Sequence, residues 1–380
     1  MVAGLCYNTA LMATQCKNRR ALVLGRGASG EAAAEELRRR GYDVEFAEDL
    51  ALVVASPGVP VRSELQLGCE ELKRRGWKLL AVTGSKGKSS VVKVVADALN
   101  LAGLKAVPCG NYGRPVCDLI GEEPGWAVVE VSSFQLETTQ LAGDVFEASA
   151  VLNVQEDHLD RHGDVSVYHS LKHRLASMSK AHYEGLGPLR AEDLSLVAGS
   201  YFDNYVLRAN GAYAIALMRA AGLDDAQIRR GFESFVPLPH RFQTVAEIGG
   251  VRYVDDSKAT SIAALIAGVA MCGASPVRLV AGGLPKGDDP EKALPILTER
   301  AKKVYLIGQS AEVFSAAWSG AVDCEVCGTM ERAVAGAMRD AVEGETVLLS
   351  PGAASFDQFN SFGERGEVFA SLVKKGKKEQ

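Results

Sequence analysis

The chain predicts an α/β protein built in three blocks, and three observations carry that prediction. Short apolar runs alternate with helical stretches almost throughout, the pattern of parallel sheets covered by helices. Two of the strand-to-helix turns are glycine-rich loops of the kind that receive phosphate. At 380 residues, 47% of them apolar, the chain can form two or three domains with ample cores. The blocks are expected at 1–78, 79–237 and 238–380.

The first block opens with strand Ala21–Leu24, the turn Gly25-x-Gly27-x-x-Gly30, a helix that stops at Gly41, and strand Tyr42–Ala47. Glu48 and Asp49 follow near the end of the second strand. This is a dinucleotide-binding fingerprint in its required context, and its common element is pyrophosphate on a helix N-terminus. NAD and a UDP-linked ligand satisfy it equally. The run "LALVVASPGVP" reads as a strand ending in Ser56-Pro57-Gly58, a turn that either closes over the ligand or simply reverses the chain.

The second block begins with strand Leu79–Thr83, the loop Gly84-Ser85-Lys86-Gly87 and a helix opening at Lys88-Ser89-Ser90. The loop is the shortened G-x-x-G-K-S, with Val82 where the full phosphate-loop pattern has its first glycine. Backbone N–H groups and the helix N-terminus face the anion, Lys88 reaches the terminal phosphates, and Ser89 can hold Mg²⁺. A plain glycine-rich turn is the alternative. Strand "WAVVEVSS" then places Glu130 near its C-terminal end, where open sheets of this kind carry their chemistry. A carboxylate there can hold Mg²⁺ beside the phosphates. Strand "ASAVLNV" runs into a loop crowded with Asp157, His158, Asp160 and His162. Such a loop alone would be solvated surface, but its place after a strand favours chemistry.

The third block, from "PLPHRFQTV", repeats the alternation through "VRYVDDSKATS", "VRLVAGGLPKGDD", "KVYLIGQS" and "TVLLSPGAASFDQFNSFGERGEVF", with several strands ending in polar or glycine-rich turns. The pair Cys324-x-x-Cys327 fits a strand better than a redox or metal site, since no second pair or histidine is near. The end "KKGKKEQ" reads as a solvated tail.

A net charge of −5 excludes a basic nucleic-acid footprint. No apolar stretch has membrane-spanning length. The first twenty residues lack the basic start of a signal peptide, and eight scattered cysteines fit reduced thiols in the cytoplasm.

Taken together, "TGSKGKSS", "EVSSFQLE", "NVQEDHLDRH", "LPHRF", "DDSKAT" and "LLSPGAASFDQFNSFGERGEVF" resemble the motifs of the Mur ligase family, in the family's order and over almost the whole chain. The resemblance implies a Rossmann-like N-terminal domain for UDP, a P-loop ATPase-type central domain and a Rossmann-like C-terminal domain. It implies an ATP-dependent, ADP-forming ligase of peptidoglycan precursor synthesis, adding D-glutamate to UDP-N-acetylmuramoyl-L-alanine through an acyl phosphate. ATP and two Mg²⁺ ions are the expected cofactors, in a cytoplasmic monomer that needs neither nucleic acid nor membrane. Lys88 and Ser89 would meet phosphates and the first Mg²⁺, with Glu130 a further ligand. His158 would hold the second, together with Lys172 if it is carbamylated, since a carbamate turns a cation into an anion. Asn111, Ser132 and Gln135 resemble contacts to the muramoyl-alanine part, and Ser29 to the pyrophosphate. Arg241, Asp256 and Lys258 match positions facing the nucleotide or reacting groups. Thr260, Lys286, Ser355 and Phe362 match a D-glutamate pocket, a lysine and two hydroxyls for two carboxylates.

Three departures stand out. Lys86 takes a place where the family has asparagine. Only 37 residues separate Lys172 from Asn210, fewer than is usual. The adenine-contact motif is reduced to "VLRAN", leaving Asn210 as its one candidate. The alternatives are another Mur-type or folylpolyglutamate synthase-like amide ligase, a non-catalytic nucleotide-binding relative, and an NAD-dependent oxidoreductase.

Overall fold

The computed structural model describes residues 20–47, 62–154, 164–187, 189–204 and 206–376. The chain divides into two compact units, Met1–Ser200 with Ala209–Ser234, and Tyr201–Arg208 with Phe235–Gln380.

In the first unit, β1 (Arg20–Leu24) and β2 (Asp43–Ala47) pair in parallel around α1 (Ala28–Arg39). The glycine fingerprint has a steric reason. Gly25 turns the chain at φ +85°, and a Cβ on Gly30 would sit 2.1 Å from the Gly25 carbonyl oxygen. Only glycine lets the helix lie that close to the turn. Helix α2 (Glu64–Arg74) follows, its start capped by Ser63, whose Oγ accepts from Gln66 N at 3.0 Å.

Five strands then form one parallel sheet: β3 (Lys78–Thr83), β4 (Ala106–Gly110), β5 (Trp126–Glu130), β6 (Phe146–Val151) and β7 (Ser179–Tyr183), in the order β4-β5-β3-β6-β7. Strand β5 is buried throughout and β3 except at Lys78, which is why both read as unbroken apolar runs rather than alternating ones. Among the described residues the further α-helices of this unit are α3 (Lys88–Leu101), α4 (Ser133–Thr138), α5 (Val165–His173), α6 (Ala191–Val197), α7 (Arg208–Ala220) and α8 (Asp225–Glu233). Ala32 and Ala33 of α1, Leu65 and Leu72 of α2, and Leu79 and Ala81 of β3 belong to one apolar cluster. The core is therefore continuous across residue 78.

The second unit carries β8 (Gln243–Ile248), β9 (Val251–Asp255), α9 (Ile262–Met271), β10 (Val277–Gly282), α10 (Leu294–Arg300), β11 (Ala301–Ile307), α11 (Ala311–Trp318), β12 (Cys324–Gly328), α12 (Met330–Asp340), β13 (Thr346–Leu349) and α13 (Phe362–Gly376). The sheet order is β12-β11-β10-β13-β9-β8. All pairs are parallel except β8 with β9, joined by Gly249-Gly250, both at positive φ as a two-residue hairpin turn needs. Leu279 and Ala281 of β10 enter one apolar cluster and Val280 the other, so the sheet has a core on each face.

Cys324 opens strand β12 and Cys327 is its penultimate residue, and burial pushes both thiols up to about 11; among the described residues no three His, Cys, Asp or Glu side chains cluster as a metal site would need. One expectation holds only in part at the C-terminus: Lys374 and Lys375 are exposed but helical, and 377–380 lie outside the described residues. Both lysines lie in the last turn of α13, where cations offset the helix dipole. Among the described residues no helix is long and apolar enough to cross a membrane.

Candidate active site

Strand β3 delivers the phosphate loop at its C-terminal end. Gly84 stands at φ +146° and Gly87 at φ +87°, the latter as N-cap of α3. A Cβ at Gly87 would lie 2.3 Å from Asn210 Nδ2, so the buried Asn210 of α7 rests directly on the loop. The end of β6 holds it from the other side. Ser85 N donates to Asn153 O at 2.8 Å, Lys86 N to Asn153 Oδ1 at 2.9 Å, and Asn153 Nδ2 back to Lys86 O at 2.9 Å. Asn153 thus fixes the Lys86 backbone while the Lys86 side chain is exposed.

Two cations converge on one carbonyl of this loop. Lys88 Nζ donates to Gly84 O at 2.8 Å and Ser85 O at 3.1 Å, and Lys172 Nζ donates to Gly84 O at 3.1 Å. Lys172 is almost fully buried, its Nζ 4.4 Å from the Tyr168 ring centroid, while Tyr168 Oη and Ser85 Oγ share a hydrogen bond at 3.0 Å. Ser89 and Ser90 lie in the first turn of α3. A strongly positive, amide-lined loop at a helix N-terminus is built to receive an anion.

Glu130 ends β5, in register with Val82 of β3. Its side chain is buried, and Oε1 accepts from Asn111 Nδ2 at 2.8 Å, whereas Oε2 is buried with no partner. Burying a carboxylate oxygen with nothing to offset it is costly. A divalent cation beside the phosphate loop removes that cost, so Glu130 fits the expected Mg²⁺. Lys172 fits only in part: the unmodified amine is a cation and would repel the metal.

Ser132 and Gln135 are used locally. Ser132 Oγ accepts from Gln135 N at 3.2 Å and Gln135 Oε1 accepts from Ser132 N at 2.9 Å, a capping box that starts α4. Ser29 is exposed in the first turn of α1.

In the second unit, His240 and Phe242 take positive φ, +60° and +49°, costly for side chains of their size. Contacts on either side of Arg241 hold them. His240 Nδ1 is 2.7 Å from Asp255 Oδ2, and Phe242 N donates to Asp256 Oδ1 at 3.1 Å. Lys258 Nζ lies 4.0 Å from the Phe362 ring centroid, and Lys286 Nζ donates to Thr260 Oγ1 at 3.3 Å. Ser355 Oγ is buried without a partner, a polar atom whose hydrogen-bonding capacity is unused.

Asp256 is pushed up to about 7, chiefly by burial and secondarily by Asp255, against hydrogen bonds from Ser350 and Phe242 N and the charge of Arg241. Because the folded state holds the proton more tightly, the group's contribution to stability is complete below its unfolded pKa of about 4 and is lost as pH rises through about 7. Urea midpoints should therefore fall between pH 4 and 7 in the wild type relative to Asp256→Asn. Parallel curves for the two proteins would refute this.

The acidic pair Glu48 and Asp49, the turn Ser56-Pro57-Gly58 and the loop with His158 lie outside the described residues. Sequence reasoning missed Asn153, His240, Asp255 and above all Arg365. That guanidinium is fully buried, donating to Ser257 Oγ (3.0 Å), Ser257 O (2.9 Å), Ala353 O (3.1 Å) and Ala354 O (3.1 Å). A signal existed: Arg365 occupies the stripe of Phe362, Gly366, Phe369 and Val373 on α13, where an apolar residue belongs.

Residues 82–187 match the Mur ligase middle domain and residues 240–352 the Mur ligase glutamate ligase domain. A UDP-N-acetylmuramoylalanine–D-glutamate ligase of Nitratidesulfovibrio vulgaris is 35% identical over 418 residues, covering 93% of this chain and 95% of that protein. One of Gloeobacter violaceus is 35% identical over 379 residues, covering 86% and 85%. An alignment of 418 positions against 380 residues requires gaps in this chain. The Thermotoga maritima MurF ligase, solved with ADP, covers 94% of this chain and 96% of its own at TM-score 0.60 and 18% identity. MurC of the same organism covers 94% and 99% at TM-score 0.61 and 14% identity. These two likenesses concern the fold. At 35% identity over most of the chain, and with both domain matches in order, the chain belongs to the Mur ligase family, among the UDP-N-acetylmuramoylalanine–D-glutamate ligases.

Proposed function

We propose that the protein joins D-glutamate to UDP-N-acetylmuramoyl-L-alanine at the expense of ATP. The γ-phosphoryl group passes to the substrate's alanyl carboxylate and ADP departs. The amine of D-glutamate then attacks the acyl carbon, the C–O bond to phosphate breaks, and phosphate leaves as the amide loses a proton. Activation is needed because a carboxylate is a poor electrophile, and two anions meet only where cations offset their charge.

The observation that carries this reading is the unpaired Oε2 of Glu130 on the strand beside the phosphate-loop strand. Gly84 to Ser90 cradle the triphosphate, with Lys88 over the loop and Asn210 toward adenine. Ser89, Glu130, His158 and carbamylated Lys172 would hold Mg²⁺, which when bound offsets phosphate charge. Asn111, Ser132 and Gln135 take the muramoyl-alanine part, where Gln135 keeps its amide N–H₂ for the ligand, and Ser29 takes the pyrophosphate. Arg241 and Lys258 offset developing charge, and Asp256 holds the ribose or orients Lys258. Thr260, Lys286, Ser355 and Phe362 form the D-glutamate pocket. The blocks 1–78, 79–237 and 238–380 then serve UDP-substrate, ATP and amino acid, in a cytoplasmic monomer.

A phosphate-release assay with ATP, Mg²⁺, UDP-N-acetylmuramoyl-L-alanine and D-glutamate, omitting each in turn, tests the reading. Release should require all four. Release that continues without D-glutamate, or needs a different amino acid, refutes it.

A further inference from the structure

Helix α4 carries Ser132 at its N-cap and Gln135 in its first turn, yet it is only six residues long. A helix so short does not persist by itself. Its start is closed by the capping box, and its end leaves carbonyls that need donors. Two side chains supply them. Thr139 Oγ1 donates to Gln135 O at 2.6 Å. The Arg174 guanidinium reaches three more carbonyls, with Nη1 donating to Leu136 O at 2.6 Å and Glu137 O at 3.5 Å, and Nη2 to Thr139 O at 2.9 Å.

Arg174 is not an isolated clamp. It is the C-cap residue of α5, two positions beyond Lys172, whose Nζ donates to the phosphate-loop carbonyl of Gly84. One short stretch of chain thus grips the phosphate loop with Lys172 and the end of α4 with Arg174. A cation is also suited to the negative end of a helix, and the planar guanidinium fork spans several carbonyls in a way an ammonium cannot.

We propose that Arg174 is a positioning residue that fixes helix α4, and with it Ser132 and Gln135, against the segment that carries Lys172. It touches neither substrate nor nucleotide. It sets where the sugar-peptide contacts stand relative to the phosphate loop. This rests on the assignment of Ser132 and Gln135 to the UDP-linked substrate.

The test is titration calorimetry on the full chain with two probes, UDP-N-acetylmuramoyl-L-alanine and ADP, for wild type, Arg174→Ala and Arg174→Lys. Arg174→Ala should weaken the UDP substrate by about tenfold or more, since small misplacements of a binding group are expensive, and leave ADP affinity close to wild type. Arg174→Lys should recover part of the loss, and hydrogen exchange should quicken in α4 selectively. Equal weakening of both probes, or exchange quickened throughout the unit, means general destabilisation and overturns the proposal, as does an unchanged affinity for both. A wild type that binds ADP but not the UDP substrate refutes the functional reading itself. Wild-type binding with an unaltered Arg174→Ala refutes only the role of Arg174.

Discussion

Replacing Glu130 by glutamine should lower kcat by about a thousandfold, some 4 kcal/mol of transition-state stabilisation, with the fold intact. The substitution is nearly isosteric, and a glutamine Oε1 can still accept from Asn111 Nδ2 as Glu130 does at 2.8 Å. What it removes is the negative charge on the side chain whose Oε2 is buried and unpaired. Without a cation that oxygen costs stability, so the apo variant should melt no lower than the wild type and somewhat higher if the penalty dominates. Loss of activity together with retained or raised thermal stability distinguishes a metal-holding carboxylate from a structural one. A variant that melts markedly lower, or keeps kcat within about tenfold, would show that Glu130 holds β4 and β5 together through Asn111 and does little else.

Arg365→Ala should destabilise the second unit by about 3 kcal/mol or more, because several buried acceptors lose a charged donor and each such bond is worth about 1.5–3 kcal/mol. Ala353 O and Ser257 O lose their guanidinium partner, whereas Ala354 O keeps its bond from Leu284 N. Part of the loss is offset, because burial already holds the Arg365 pKa down to about 10, against the raising effect of Asp357 and Asp255. The functional effect follows from what the bonds join. Ser257 belongs to the turn that bears Asp256 and Lys258, and Ala353 and Ala354 precede Ser355, so one side chain pins two loops of the proposed site. Urea denaturation of the variant checks the energy, and a midpoint unchanged within error removes the claim.

The strand-to-helix turns were legible because glycine has few substitutes where φ is positive or where a Cβ would collide, as at Gly30 and Gly87. Glu130 was legible from its place at a strand end. The supports of these residues were not. Asn153 reads as an ordinary loop asparagine, and its two bonds to Lys86 depend on β6 lying beside β3. Ser132 and Gln135 have the spacing of a capping box as well as of a ligand pair, and sequence alone does not divide their atoms between the two. The continuity of the core across residue 78 was hidden for a similar reason: the glycine fingerprint marks a local unit, while packing of Ala32 and Ala33 with Leu65, Leu79 and their neighbours is a property of the folded chain.

The place of β3 at the centre of its sheet bears on when the site comes into being. Its partners β5 and β6 follow in sequence after α3, and the loop it delivers is tied down by Asn153 and Lys172. Pairings this distant along the chain form late and slowly. A nascent chain that has just completed α3 therefore carries the whole glycine-lysine-serine signature without a working cradle. Nucleotide finds the complete set of loop tethers only in the folded unit. It can only reward the finished sheet, stabilising the native state by mass action once the last tether is made.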